Sequence, residues 1–236
     1  MSDFSWLWSW PVHVPSLLPG LAVAILITVL SCTIGYPLGF FLALLSESRS
    51  AWIRWTAIVV VETGRGVPAL VLLYLVYRGL PQFGVLLEAL PASVVALTVT
   101  AAAYSAEMIR ASIAALPPGQ TDAADALGLV RADRFRFVIL PQAARISIPP
   151  LVNLTITMFH ITSLASVITV AEIMQAAYLS GAINWQYMSV YIAAAFVYAV
   201  IAIPGAVLAG RLERRLSGDR PRARRRRARA PEPVLS

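Results

Sequence analysis

The sequence contains no lysine, a single cysteine, two histidines and few charges of any kind. Each shortage excludes something. The lone cysteine, Cys32, sits inside an apolar run, so neither an intrachain disulfide framework nor a cysteine-rich metal site can form. With His13 and His160 as the only histidines, no convergent nucleophile–base or metal constellation of an enzyme is visible. No glycine-rich loop ends in Gly-Lys-Ser/Thr, so the chain has no phosphate cradle of that type. Charged residues make up 13% of the chain, well below the roughly 25% usual for soluble domains. A soluble protein of this size needs a more polar surface than that.

Apolar residues are abundant instead: 58% of the chain, with a mean hydropathy of +0.74. This surplus points to lipid as the solvent. Five apolar stretches, at about 20–45, 56–77, 92–112, 146–170 and 188–210, each reach the ~20 residues that cross the hydrocarbon of a bilayer. The net charge of +7 comes from the end of the chain. Residues 211–236 hold ten arginines and three acids, while the first 210 residues balance nine against nine. The basic character therefore belongs to a tail and not to a folded nucleic-acid groove with interleaved aromatics.

Arginine placement sets an orientation. The link after the first stretch carries Arg49 and Arg54, and the link after the third carries Arg131, Arg134, Arg136 and Arg145. The link after the fourth has no arginine, and the C-terminus has ten. Arg-rich links alternate, which places the N-terminus outside (periplasmic) and the C-terminus in the cytoplasm. Residues 1–15 read as an interfacial N-terminus, with Trp6, Trp8 and Trp10 as outer anchors before Pro11 and Pro15, and with no cleavable signal peptide. Residues 16–216 form the membrane domain. Residues 217–236 read as a disordered Arg-rich tail held at the anionic inner leaflet, at about 1 kcal/mol per arginine.

The cytoplasmic link at about 117–142 is too polar to span and too apolar for a plain linker. Pro117-Pro118-Gly119 breaks the preceding helix, Thr121 is the expected N-cap of a short helix beginning Asp122-Ala123-Ala124-Asp125, and Gly128 is its expected stop. Small side chains on one face suit docking, because they let another backbone approach closely.

These residues resemble a known family. Asp122-Ala123-Ala124, three residues, Gly128, nine residues, then Val138-Ile139-Leu140-Pro141 is similar to the Glu-Ala-Ala … Gly … Ile-x-Leu-Pro signature of bacterial ABC importer permeases, with Asp for Glu and Val for Ile. Arg65-Gly66-Val67-Pro68, Gly79-Leu80-Pro81, the run from Ala103-Tyr104 to Glu107 and Arg110, Gln120, Gln142, Pro149-Pro150, Thr162-Ser163-Leu164 and Ala171-Glu172 resemble the subgroup for polar amino acids and opines. The resemblance covers roughly 16–216. It implies an all-α membrane protein with five transmembrane helices and a cytoplasmic coupling helix. The chain would be a multi-pass permease subunit of the bacterial inner membrane, importing a polar amino acid or, alternatively, an opine, an ectoine-like solute or another amino-acid derivative. It implies a separate ATPase carrying ATP and Mg and docked at Asp122, Ala123, Ala124, Gly128, Val138, Leu140 and Pro141. A second permease chain, identical or paralogous, and an extracytoplasmic solute-binding protein complete the assembly, with no nucleic acid and no resident cofactor or metal.

Charges inside a bilayer cost about 2.5–3.5 kcal/mol even on lenient scales, so they should face a partner or a wet cavity. Arg65 falls near the middle of the second span, where Gly66 and Pro68 favour a broken helix that offers backbone groups to a solute. Tyr104 and Glu107 lie on the third span, and His160, Thr162 and Ser163 on the fourth, at similar depth. The expectation is that they line one cavity. A structural reading stands beside it: Glu62–Arg65 and Glu107–Arg110 are spaced to pair on their own helices, and Thr162 and Ser163 to tie helices together. The family usually has Lys at His160 and an acid or amide at Ile161, so the solute stays open. The rival reading, a membrane anchor with a basic signalling tail, has no use for polar groups at midplane depth.

Overall fold

The computed structural model describes residues 6–216, and their side chains from Trp8 onward except Asn184. The Arg-rich tail and the first five residues lie outside them. The described chain is helical, with no strand. Helix α1 runs Trp6–Ser46 and α2 runs Ala51–Gly66. α3, Ala69–Tyr74, continues through a π-helical turn, Leu75–Gly79, and a 3₁₀ turn, Leu80–Phe83. α4 spans Ala89–Ala114, α5 Gly119–Ala126 and α6 Arg131–Asp133. A π-helical segment, Arg134–Ile139, leads into α7, Leu140–Ile161, which tightens into a 3₁₀ segment, Thr162–Ile168. α8 is Ile173–Asn184 and α9 is Tyr187–Leu216.

Four helical stretches are long and apolar enough to cross a membrane, and the bent pair from α2 to Phe83 makes a fifth. That pair turns by 101°. The break falls at Val67 and Pro68, where Pro68 pushes the preceding residue out of the helical region, so Val67 is extended at φ −84° and ψ 126°.

α1 starts well before its apolar stretch and carries Pro11, Pro15, Pro19 and Pro37 inside it. Each proline deletes one ladder bond. Packing holds the helix together regardless. Leu17 is fully buried in a cluster with Ile173, Ala177, Val190 and Ala193, with Trp10 and Val14 against its edge. Ser9 shares a 2.8 Å hydrogen bond with Ser189, and the Trp10 ring lies 4.8 Å from that of Phe196. α8 and α9 thus hold the first turns of α1 in place.

α4 is the centre of the bundle. Its buried residues are nearly all Ala, Ser or Thr, and that column admits two neighbours at close range. A Cβ on Gly35 of α1 would sit 2.8 Å from Cβ of Ala101, and one on Gly39 would sit 2.0 Å from Oγ of Ser105. Gly64 of α2 meets Ala103 at 2.7 Å in the same sense. The Gly-x-x-x-Gly spacing of Gly35 and Gly39 is the sequence signal for this seam.

Candidate functional site

Three groups of polar residues stand out, two among the spans and one between α4 and α7. Arg65 closes α2 just before the break. It reaches Glu62 on its own helix at 3.3 Å and Glu107 on α4 at 3.5 Å. Glu107 is also held by Arg110, which donates from Nε at 3.0 Å and from a terminal nitrogen at 2.7 Å. Tyr104 donates its hydroxyl proton to the Arg65 carbonyl at 3.4 Å. The pairs expected within each helix both form, and the Arg65–Glu107 contact joins them into one chain of alternating charge. A cavity of about 300 Å³ lies beside it, walled by Glu47, Arg54, Glu62, Glu107 and Arg110 over an apolar floor. Gly66 faces open space and Pro68 begins α3.

His160 and Ser163 sit elsewhere. They line a different cavity, of about 620 Å³, with Ser166, Met174 and Tyr198. The two cavities share no lining residue. Within this chain, then, the expected substrate-path residues do not surround one space: Arg65, Tyr104 and Glu107 are brought together, and His160 and Ser163 form a second group. Thr162 lines neither, because it is fully buried and donates to the Phe159 carbonyl at 2.7 Å, closing the turn where α7 tightens. Residues three apart eclipse in a 3₁₀ turn, so Ser163 and Ser166 face the same side while Thr162 turns inward.

Sequence reading gave no site role to two residues beside this second group, although Ala171-Glu172 entered the family resemblance. Tyr198 of α9 donates to Glu172 at 2.9 Å. Glu172 is fully buried and caps α8, accepting from the Met174 and Gln175 backbone amides at 2.9 and 2.8 Å. An acid immediately before an apolar helix is the signal that finds it.

Between α4 and α7 the chain folds into a clasped hairpin. α5 begins at Gly119, two residues before the expected cap, and Thr121 lies inside it with no side-chain cap bond at the helix start. The reason is Pro118, which is already at φ −53° and ψ −37°; the turn is underway with Gln120 donating to the Pro117 carbonyl at 3.0 Å. Gly128 ends the helix as expected. It is left-handed at φ +73°, its amide donates to Asp125 O at 3.0 Å, and that of Leu129 to Ala124 O at 3.2 Å. These are the paired bonds of a Schellman stop. Two side-chain ties close the hairpin: Arg134 pairs with Asp125, and Gln142 donates to Gln120 at 3.0 Å.

Asp122, Ala123 and Gly128 are exposed and Ala124 is buried in the hairpin; Val138 and Leu140 are half-buried, and Pro141 is exposed in the first turn of α7. Around them stand large apolar side chains with nothing over them: Leu127 is 80% exposed, Val130 63% and Phe137 62%.

Comparison with known proteins places this architecture. Residues 35–218 match the family described as binding-protein-dependent transport system inner membrane component. The chain is 36% identical over 201 residues to a probable amino-acid ABC transporter permease, YckA, of Bacillus subtilis (strain 168), covering 85% of this chain and 89% of that one. It is 39% identical over 208 residues to the L-cystine transport system permease TcyB of the same organism, covering 88% and 87%. A chain from the crystal structure of an amino acid ABC transporter with histidines superposes with a TM-score of 0.84 at 37% identity, over 91% of this chain and 99% of that one.

Proposed function

The chain belongs to the family of inner membrane components of binding-protein-dependent transport systems, and from that premise we propose which solute it carries and which surfaces it uses. It is a permease subunit of an ABC importer, a multi-pass protein of the bacterial inner membrane; ATP hydrolysis resides on a separate subunit. Permeases of this kind work with an ATPase and a substrate-binding protein.

The solute is a polar amino acid or a close derivative. Relatives described as amino-acid and L-cystine permeases support this reading. The ATPase seats on the hairpin from Gln120 to Gln142. One observation carries that assignment: Leu127, Val130 and Phe137 are apolar, exposed and mounted on a clasped element flanked by Arg131, Arg136 and Arg145. Arginines mark this end as cytoplasmic, and exposed large apolar groups on a rigid polar element mark a protein interface. Closing of the ATPases on ATP would push this element, and α4 and α7, which flank it in sequence, would carry the displacement to the spans. A second permease chain completes the path.

The test is reconstitution with the cognate ATPase and binding protein in proteoliposomes. ATP-driven accumulation of at least one amino acid is expected, and accumulation of none, with another solute class taken up instead, would contradict the assignment.

A further inference from the structure

A cavity of about 280 Å³ opens between α7 and the last turns of α9. Three polar side chains line it, Arg145, Asn153 and Glu213, and the rest of its wall is apolar. Arg145 and Glu213 carry opposite charge, yet no ion pair joins them. Among the described residues, neither side chain has a hydrogen-bond or ion-pair partner. A cation and an anion that share one cavity and stay apart leave room for a zwitterion between them. The backbone adds acceptors. Pro149 and Pro150 stand side by side inside α7. Proline has no N–H, so neither bonds to the carbonyl four residues back. Those carbonyls belong to Arg145 and Ile146, and both residues line the cavity. The wall thus holds donors on Arg145 and Asn153, and acceptors on Glu213 and on two carbonyls that lack their ladder donor.

The position of the cavity narrows the ligand. It stands at the arginine-rich end of the bundle, where α9 closes on Arg214 and Arg215. Basic pockets between spans at that boundary suit lipid head groups. Further along the same two helices is an apolar cavity of about 430 Å³, lined by Ile156 and Phe159 of α7 and by Ile201 and Gly205 of α9. Its two hydroxyls are already used: Thr28 donates to the Ala24 carbonyl at 2.8 Å and Thr155 to the Leu151 carbonyl at 3.0 Å. Ile156 lies about one turn inward from Asn153, and Gly205 about two turns inward from Glu213. A charged pocket at the membrane boundary, followed by an apolar groove along the same seam, matches the head and chain of a phospholipid.

We propose that the α7–α9 seam binds a phospholipid with a phosphoethanolamine head, its phosphate on Arg145 and Asn153 and its ammonium on Glu213 and the Arg145 and Ile146 carbonyls. The inference holds whichever solute the chain carries. Phosphatidylcholine has the same charges, but its trimethylated nitrogen has no N–H, so the acceptors go without a donor. Phosphatidylglycerol brings the phosphate without a cation, and Glu213 then faces an uncompensated like charge. A site with both a donor and an acceptor end therefore separates lipids that charge alone does not.

The test titrates the permease–ATPase complex, stripped of lipid in detergent, with phosphatidylethanolamine, phosphatidylcholine or phosphatidylglycerol of one chain composition. Native mass spectrometry counts the lipid bound per intact complex. Phosphatidylethanolamine is expected to bind about tenfold more tightly than phosphatidylcholine. Glu213→Gln should lower that ratio about three- to fivefold and leave phosphatidylcholine binding unchanged. Arg145→Gln removes the phosphate contact common to all three lipids, so it should weaken each of them about three- to tenfold. Both side chains are exposed and make no internal bond among the described residues, so neither substitution disturbs the packing. Soluble phosphoethanolamine at equal concentration should not displace the lipid, because it lacks the chains that fill the groove. Equal binding of the ethanolamine and choline lipids, tighter binding of phosphatidylglycerol, a ratio unmoved by Glu213→Gln or affinities unmoved by Arg145→Gln would overturn the inference. Displacement by soluble phosphoethanolamine would overturn the assignment to a lipid.

Discussion

Arg65 has two carboxylates within reach, and only Glu62 is on its own helix; Glu107 belongs to α4. The second contact ties the broken span to the centre of the bundle two residues before the break at Val67. Its side chains are a quarter to a third exposed, so the pair is worth less than a fully buried one and more than a surface one. A double-mutant cycle of Arg65→Ala and Glu107→Ala should give a coupling of about 0.5–1.5 kcal/mol in unfolding; strictly additive effects would show that the contact contributes nothing. Gly39 makes a sharper demand. A Cβ there would meet Ser105 Oγ at 2.0 Å and the Ala102 carbonyl at 2.6 Å. Gly39→Val should therefore destabilise the α1–α4 seam by about 1–3 kcal/mol or more, read as a fall in detergent thermal stability, and unchanged stability would refute the close approach. At this scale the sequence was partly legible. The i,i+3 spacings announced Glu62–Arg65 and Glu107–Arg110, but the Arg65–Glu107 link depends on how α2 and α4 cross, which local spacing does not encode. Tyr198 was invisible for the same reason: an apolar helix with three tyrosines does not say what any one hydroxyl meets.

At the scale of elements, the hairpin between α4 and α7 was the most readable part of the chain, because glycine and proline act through their own backbone preferences. Gly128 stops α5 at φ +73°, where any residue with a Cβ is strained. Gly128→Ala should loosen the Schellman turn by about 1 kcal/mol, seen as faster amide exchange at Leu129, whose amide bonds to Ala124 O; exchange as slow as in the parent would contradict that role. Thr121 shows the limit of such reading. Its side chain suits a cap, but Pro118 begins the turn earlier and puts Thr121 inside the helix. The start of α1 shows it again: Pro11 and Pro15 argue against a helix from within the segment, and the contacts of Trp10, Val14 and Leu17 with α8 and α9 decide otherwise.

For the whole molecule, the all-α membrane fold followed from composition and from apolar runs of spanning length, and the family followed from the hairpin motif. The grouping of polar residues did not follow, since similar depth along three spans does not bring side chains to one cavity. Seven of the nineteen arginines follow Leu216, the last residue of α9. Removing residues 218–236 should therefore leave ATP-driven uptake intact, and its loss would give the tail a part in transport. The account as a whole depends on the hairpin being the seat of the ATPase. Ala123 is exposed on α5, so Ala123→Arg perturbs no internal packing and should block only a partner. Co-purification of the ATPase with this variant is the most direct measurement: the account predicts that ATPase recovery collapses while the permease stays inserted and folded, and full ATPase stoichiometry with Ala123→Arg would contradict it.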